Sequence, residues 1–327
     1  MRLMLQSSLL FFFSATITIS LLSSCSQASM EPNYPVIGAG NVSKPCDESI
    51  DSCDQGTDTG SDDFRSEGQE DESGTSDGSG NYEENPNFCL KNSENFLEPG
   101  PYGSASKAGP SGYTVFYPEE LEKGCKHPFV VWGNGTTQRG VASYGVIGKH
   151  LASHGIFVIH THADGGGGLR GAGPMKEGIQ VAKDLGDSGE FAGAISRDGG
   201  SSGHSQGGIG AQVLGSSSPE IKAVVDMMGG AVAGARHDKP TLLLTGSQDF
   251  MRSSINQAFG ALDGKIFLAD FAGVEHMFGP MRNASFRGAS AAWFRCNLAK
   301  DNRACQLFVG KGDASLFKGA TTKSKNL

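Results

Sequence analysis

The sequence predicts an α/β protein with a mostly parallel central sheet that is covered by helices on both faces. The first observation is a series of short apolar segments, such as "HPFVVWG" and "TLLLTG", that end in glycine as buried parallel strands do. The second is that segments with apolar residues at helical spacing alternate with them. Strands that alternate with helices build a parallel sheet, and the sites of such sheets lie at the carboxyl ends of strands.

The individual elements are predicted from their composition and from the residues that end them. Strand segments are rich in β-branched and aromatic residues, and helical segments carry apolar residues on one face. In chain order the predicted elements are strand 112–118, strand 127–135, helix 141–155, strand 156–162, helix 174–186, strand 221–229, strand 239–249, helix 253–262, strand 265–273 and helix 289–299. Before Ser205 only a short, weak strand is expected, because the Gly and Ser residues there have little β-propensity.

The N-terminal part of the chain is predicted to export and anchor the folded part. Residues 1–24 combine Arg2 with a short apolar run, which is typical of a cleaved export signal rather than a membrane span. "LSSC" looks like the lipobox of bacterial lipoproteins, so Cys25 is the predicted lipidation site and the membrane anchor. Ser26 is not the Asp of inner-membrane retention, so the outer membrane of the cell envelope is the expected location.

Residues 25–86 are predicted to be a disordered acidic tether between the anchor and the domain. From Asp47 to Asn85 the chain has fourteen acidic residues, and Arg65 is the only basic one. Such a segment cannot bury enough apolar surface to fold. It also accounts for the net charge of −8, and the remainder has no basic cluster with aromatic residues, so no nucleic-acid partner is expected. The folded domain is assigned to residues 87–312 and a disordered tail to 313–327.

Six cysteines remain once Cys25 carries lipid, and an exported protein with an even number is expected to form disulfides. Fifteen pairings are possible. Proximity in sequence favours Cys46–Cys53 and Cys296–Cys305, which leaves Cys89–Cys125. No C-x-x-C pair is present, so no zinc site made of cysteines is expected.

The segment "GHSQG" fits the G-x-S-x-G pattern of a serine nucleophile on a sharp strand-to-helix turn, which makes Ser205 the candidate nucleophile. A serine hydroxyl needs a histidine base and a carboxylate that orients the histidine. His276 follows the last predicted strand and is the candidate base. Asp249 follows the preceding predicted strand and is the first candidate for the acid, with Asp226, one strand earlier, as the alternative.

An oxyanion hole requires two backbone N–H groups beside the nucleophile. Gln206 directly follows Ser205 and is expected to supply one of them. The loop Gly133–Thr136 after the strand "FVVW" is expected to supply the other, with Asn134 as the preferred donor. This chemistry requires no metal and no other cofactor. A monomer is favoured.

From about residue 96 to 310 the chain resembles the bacterial cutinase and polyester-hydrolase branch of the α/β-hydrolases. The resemblance rests on "GYTVFYPEEL", "VVWGNGT", "KHLASHGIFVI", "GHSQGG", "TLLLTGSQD", "GVEHMFG" and "AAWFRCNLAKDN", in this order. It implies ester hydrolysis through an acyl-enzyme on Ser205, with His276 as base and Asp249 as orienting acid. It also implies a C-terminal disulfide, which Cys296 and Cys305 could supply.

The chain departs from this family at two aromatic positions. Members that act on aromatic polyesters have a Trp after the strand that follows the nucleophile, where this chain has Met227–Gly230. They also have an aromatic residue after the glycine of the oxyanion loop, where this chain has Asn134. Both changes remove stacking surface, so a general esterase or lipase-like role is expected.

A second group of residues suggests different chemistry. His160, His162 and Asp164 form an H-x-H-x-D sequence after a strand, as at the start of two-zinc metallo-β-lactamase-like sites. The next residue is Gly165, where that family has another histidine. A metal-dependent hydrolase and a non-catalytic lipoprotein of hydrolase fold are therefore the alternatives to a serine esterase.

Overall fold

The computed structural model describes residues 88–165, 172–277, 279–309 and 315–327. The strands in these ranges are β1 (Ala105–Ala108), β2 (Tyr113–Tyr117), β3 (His127–Gly133), β4 (Phe157–Thr161), β5 (Ile195–His204), β6 (Ile221–Met227), β7 (Thr241–Gln248), β8 (Ile266–Glu275) and β9 (Ala320–Lys325). They form one sheet in the order β1-β2-β4-β3-β5-β6-β7-β8-β9. Within the central run β4-β3-β5-β6-β7-β8, all neighbouring strands are parallel. The outer strands β1, β2 and β9 each pair antiparallel with the next strand inward. The predicted α/β class with a mostly parallel sheet is confirmed.

Helices connect the parallel strands. They are α1 (Gly145–Ser153), α2 (Gly173–Asp187), α3 (Gln206–Ser217), α4 (Arg252–Ala261), α5 (Gly279–Arg282), α6 (Ala284–Ala299) and α7 (Asn302–Gln306), and a 3-10 turn lies at Gly189–Phe191. Helix α1 begins four residues later than predicted, because residues 141–144 form turns. The predicted helix 289–299 begins earlier, where the Asn283 side chain caps α6 by accepting from the Ser285 N–H.

The two faces of the sheet follow from the alternation of side chains along its strands. On β3, Phe129 and Val131 pack in the cluster that holds residues of α2 and α3. The intervening Val130 and Trp132 pack in the cluster that holds residues of α1 and α6. Both faces of the central strands are therefore covered, which explains why their sequences are continuously apolar.

Strand β5 is ten residues long although its sequence is poor in β-forming residues. Its ladders with β3 and β6 hold the backbone on both sides. A Cβ on Gly200 would lie 2.4 Å from Cε1 of Phe294, so the ring of an α6 residue fills the volume that a side chain on β5 would need. The prediction of a short, weak strand was right about its place and wrong about its length, because neighbouring strands and packing determine this backbone.

The predicted disordered tail contains a strand. Residues Ala320–Lys325 form β9, which pairs antiparallel with residues 266–271 of β8 at the edge of the sheet. The side chains of β9 are mostly exposed, so the strand is held by its backbone ladder and leaves no apolar signal in the sequence. Its lysines suit an edge strand, since charged side chains oppose pairing with another sheet.

Two disulfides are present among the described residues, Cys89–Cys125 and Cys296–Cys305, and both pairings agree with the prediction. The second joins α6 to α7. The export signal, Cys25, the tether and the pair Cys46–Cys53 lie outside the described residues. In the described part of the chain, none of the helices has the length and apolar character that a membrane span requires.

Candidate active site

Ser205 lies in a tight turn between β5 and α3, at the carboxyl edge of the parallel strands. Its backbone has φ 55° and ψ −118°, a conformation that a residue with a Cβ seldom adopts. The Ser205 N–H donates to the Met227 carbonyl at 2.9 Å, and the Ile209 N–H donates to the Ser205 carbonyl at 3.0 Å. These bonds hold the strained turn between β6 and the first turn of α3, so the position of the hydroxyl is fixed.

The turn also requires that the loop after β3 approach α3 closely. A Cβ on Gly207 would lie 2.0 Å from the carbonyl oxygen of Gly133. Any larger residue at 207 would therefore push the β3 loop away from Ser205. This contact is the physical reason for the second glycine in the G-x-S-x-G pattern.

The structure brings Ser205, His276 and Asp249 together, although 71 residues separate the serine from the histidine. Oγ of Ser205 lies 3.0 Å from Nε2 of His276, and Nδ1 of His276 lies 2.7 Å from Oδ1 of Asp249. An ionised carboxylate can only accept, so Nδ1 carries the proton and Nε2 is left to accept from the serine hydroxyl. This is the arrangement in which a histidine can act as a base toward a serine.

The Asp249 side chain is fully buried and is fixed by two further hydrogen bonds. Thr245 donates its hydroxyl to Oδ2 at 2.8 Å, and the Met251 N–H donates to Oδ1 at 2.8 Å. The carboxylate thus keeps its orientation toward His276. Thr245 was not predicted from the sequence, although a polar residue within an apolar strand, four residues before the candidate acid, was a usable signal.

Asp226, the alternative acid, is bound elsewhere. Its Oδ1 accepts from the Gly229 N–H at 2.8 Å, and its Oδ2 accepts from the Gly230 N–H at 2.9 Å and from Nε2 of Gln212 at 3.2 Å. Complete burial raises the pKa of Asp226 to about 6, against the lowering effect of these hydrogen bonds. This carboxyl shapes the turn after β6, and Asp249 is the acid that contacts the histidine.

His204 supports the other side of His276. Its Nε2 donates to the backbone carbonyl of His276 at 3.0 Å, and its Nδ1 therefore accepts from the Tyr144 hydroxyl at 2.7 Å. Burial, with the adjacent His276, lowers the pKa of His204 to about 4, and burial raises the pKa of Tyr144 to about 12. The His204 ring and the Tyr144 hydroxyl are therefore neutral, as these two hydrogen bonds require. The sequence showed Tyr144 only as a member of an apolar helix face.

Gln206 lies where the prediction requires. It is the first residue of α3, and the N–H groups of a first helical turn have no acceptor within the helix. It lines the cleft beside Ser205. Its backbone N–H is therefore available to an oxygen that sits against the serine.

Asn134, the other predicted oxyanion donor, is fully buried and does not line the cleft. Its Oδ1 accepts from Nε1 of Trp132 at 3.2 Å, and its Nδ2 donates to the Thr161 carbonyl at 3.0 Å. The side chain thus braces the loop from inside. Gly135 and Thr136 line the cleft instead, so the expected loop donor moves from Asn134 to one of these two residues.

The same loop is held from outside by Asp164. Thr137 has φ 67°, which is unusual for a β-branched residue, and its N–H donates to Oδ1 of Asp164 at 2.6 Å. Arg139 lies beside the same carboxylate, with its Nε 3.8 Å from Oδ2, and the Gly165 N–H donates to the Gly135 carbonyl at 3.2 Å. The segment after β4 therefore fixes the backbone on which Thr136 stands.

These residues surround a cleft of about 360 Å³. Its lining includes the polar residues Thr136, Gln138 and Gln206 and the apolar residue Ile209. The wall beside His276 contains Phe250 and Met277, which are 72% and 51% exposed although both are apolar. The Phe250 ring lies over the His276 ring, with 4.0 Å between their centroids.

The H-x-H-x-D group does not converge on a common point. His160 is fully buried and stacks on Trp132. His162 forms a hydrogen bond with Thr114 at 2.8 Å, and Asp164 holds the loop after β3 by accepting from the Thr137 N–H. Neither histidine lines the cleft. In the described ranges, the group with metal-ligand geometry is Cys89, Glu122 and Cys125, whose cysteines are joined as a disulfide.

Comparisons with protein-family models and with curated proteins find no match to this chain. The function is therefore argued from the geometry of the site.

Proposed function

We propose that this protein is a carboxylic ester hydrolase of α/β-hydrolase fold that acts through an acyl-enzyme on Ser205. The observation that carries the proposal is the hydrogen-bonded series Ser205–His276–Asp249 on a strained strand-to-helix turn. The order serine, acid, histidine along the chain is that of α/β-hydrolases. The positions of these residues after β5, β7 and β8 fit the same fold.

In the first half-reaction the Ser205 hydroxyl transfers its proton to Nε2 of His276 while Oγ bonds to the ester carbonyl carbon. The tetrahedral oxyanion then collapses, the bond from carbon to the alcohol oxygen breaks, and Nε2 returns the proton to that oxygen. In the second half-reaction Nε2 of His276 takes a proton from a water molecule as the water oxygen bonds to the acyl carbon. The bond from that carbon to Oγ of Ser205 then breaks, and Nε2 returns the proton to Oγ. The products are an acid and an alcohol, and no electrons are transferred.

The oxyanion forms between Ser205 and the loop after β3. In this proposal the oxyanion is bound by the backbone N–H of Gln206 and by that of Gly135 or Thr136, which line the cleft. Donors fixed in advance need no reorganisation during the reaction. The two supports described above, Asn134 within the protein and Asp164 at its surface, hold the loop for this purpose.

The test is covalent labelling combined with hydrolysis of nitrophenyl esters of increasing acyl length. A fluorophosphonate is expected to label the protein once, at Ser205, and to abolish hydrolysis. Ser205→Ala is expected to remove labelling and to lower kcat by about 10⁶-fold. Ser216→Ala, an exposed serine at the end of α3, is the matched control and should retain both.

The alternatives predict different outcomes of this experiment. A metal-dependent hydrolase would resist the fluorophosphonate and lose activity with a chelator, and either result would contradict the proposal. A non-catalytic protein would hydrolyse none of the esters and would not react at Ser205.

We further propose that the domain is exported and anchored to the cell envelope through lipidated Cys25. Two disulfides in the described residues support an oxidising compartment, although weakly. Cys25→Ala should move the protein from the membrane fraction to the soluble fraction and leave ester hydrolysis intact. Soluble full-length protein with an unmodified Cys25 would contradict the anchor.

A further inference from the structure

The positions of the cleft-lining residues relative to His276 indicate which part of a substrate they contact. In the acylation step, Nε2 of His276 must give its proton to the alcohol oxygen of the ester. The alcohol part therefore leaves on the His276 side of the scissile bond. The carbonyl oxygen lies on the opposite side, toward Gln206 and the loop residues Gly135 and Thr136.

The His276 side is apolar and exposed. Within the described residues five large apolar side chains are exposed, and two of them, Phe250 and Met277, line this cleft. Phe250 directly follows Asp249, Met277 directly follows His276, and the Phe250 ring lies 4.0 Å from the His276 ring. We call this surface, made of Phe250 and Met277, the alcohol-side wall.

In the part of the chain that the structure describes, the cleft also lacks strongly acidic and basic side chains. Its described lining contains no Lys, Arg, Asp or Glu side chain. A charged alcohol such as a choline-type cation would find no counter-ion on this surface, and an apolar one would cover two side chains that water now contacts.

We propose that Phe250 and Met277 select neutral esters with an apolar alcohol part, so that this enzyme distinguishes substrates chiefly by their alcohol. The inference rests on the proposed ester hydrolysis at Ser205. It assigns to Phe250 the aromatic contact surface of this cleft, on the leaving-group side of the scissile bond.

The test compares two ester series that vary one part at a time. Ethyl butyrate and hexyl butyrate share an acyl group and have alcohols of similar basicity, so their ratio of kcat/KM reports contact with the alcohol chain. Ethyl butyrate and ethyl octanoate share the alcohol and report contact with the acyl chain. Released acid is titrated below the solubility limit of each ester.

Phe250→Ala is expected to lower the hexyl-to-ethyl ratio about tenfold, because the alkyl chain loses apolar contact area. Met277→Ala should lower it about threefold for the same reason, and Phe250→Leu should retain most of the ratio. Both side chains are largely exposed, so these substitutions remove little core packing. Val146→Ala, an exposed apolar residue of α1 outside the cleft, is the control and should leave the ratio unchanged.

Failure of this inference can be distinguished from failure of the ester-hydrolase proposal. If Ser205→Ala retains hydrolysis, or if the unmodified enzyme hydrolyses no ester, the proposed function falls and this inference with it. If Ser205→Ala is inactive but Phe250→Ala keeps the hexyl-to-ethyl ratio within twofold, only the alcohol-side wall is wrong. If Phe250→Ala instead changes the octanoate-to-butyrate ratio, the wall binds the acyl chain and the assignment is overturned.

Discussion

Two groups of histidine and aspartate residues lie at or near the ends of strands of the same sheet, and they differ in whether their side chains contact one another. His276 and Asp249 follow β8 and β7, and their side chains meet each other and Ser205 at 2.7 and 3.0 Å. His160 lies within β4, and Asp164 follows that strand, but their side chains point to different neighbours. One group forms a site, and the other supports the structure around it.

The difference lies in which strands supply the residues. In the first group, each residue comes from the end of a different parallel strand, so the sheet itself brings the side chains to one point. In the second group the residues lie two positions apart in one segment, and each side chain contacts a different neighbour. A spacing pattern within one segment is therefore weaker evidence of a site than polar residues at the ends of several strands.

The largest expected effect compares the two histidines. His276→Ala should lower kcat by about 10⁶-fold, because the serine loses its base. His162→Ala should change kcat less than about threefold, because its partner is Thr114 at the periphery of the sheet rather than the nucleophile. Ester hydrolysis by each variant, with and without a chelator, measures both effects.

A larger loss in His162→Ala than in His276→Ala would reverse the comparison. Loss of activity with chelator in the unmodified enzyme would do the same. An active enzyme whose Ser205 does not react with the fluorophosphonate would also contradict the assignment of the nucleophile.

The two aspartates should differ in whether their charge matters. Asp249→Asn should lower kcat by about 10⁴-fold, because the amide no longer stabilises the imidazolium or the required tautomer of His276. Asp164→Asn should retain most activity, since an amide oxygen can still accept from the Thr137 N–H. Asp164→Ala should lower kcat by about 10 to 100-fold with little change in KM, because the oxyanion loop loses that acceptor.

Comparing kcat of Asp164→Asn with kcat of Asp164→Ala separates a positioning role from a general loss of structure. Equal losses in both would mean that the charge, or the fold as a whole, matters rather than the hydrogen bond. A rise in KM with unchanged kcat would place Asp164 in substrate binding instead of oxyanion stabilisation.

Most of the parallel core could be predicted because its strands are apolar on both faces and its helices have a clear period. The candidate triad could be predicted because its members follow those strands. The support of the site could not, since it depends on backbone geometry: Thr137 donates its N–H to Asp164, and Asn134 uses its amide inside the protein. Strands β5 and β9 were underestimated for the related reason that their ladders, not their side chains, hold them.

The smallest expected effect tests the structural role of His160 through its response to pH. Burial lowers the pKa of His160 to about 3, whereas an unfolded histidine titrates near 6.5. Between these values the unfolded chain binds a proton at this residue and the folded chain does not, so acidification lowers the free energy of unfolding. Nδ1 donates to the Thr161 carbonyl, and within the described part of the chain the buried Nε2 has no hydrogen-bond partner.

His160→Leu should keep ester hydrolysis and make the dependence of unfolding free energy on pH shallower by up to about 1.4 kcal/mol per pH unit between pH 6.5 and 4. Urea unfolding of both proteins across this range measures the slope. Parallel curves would contradict the lowered pKa of folded His160, and loss of hydrolysis in a folded variant would show that His160 does more than fill the space beside Trp132.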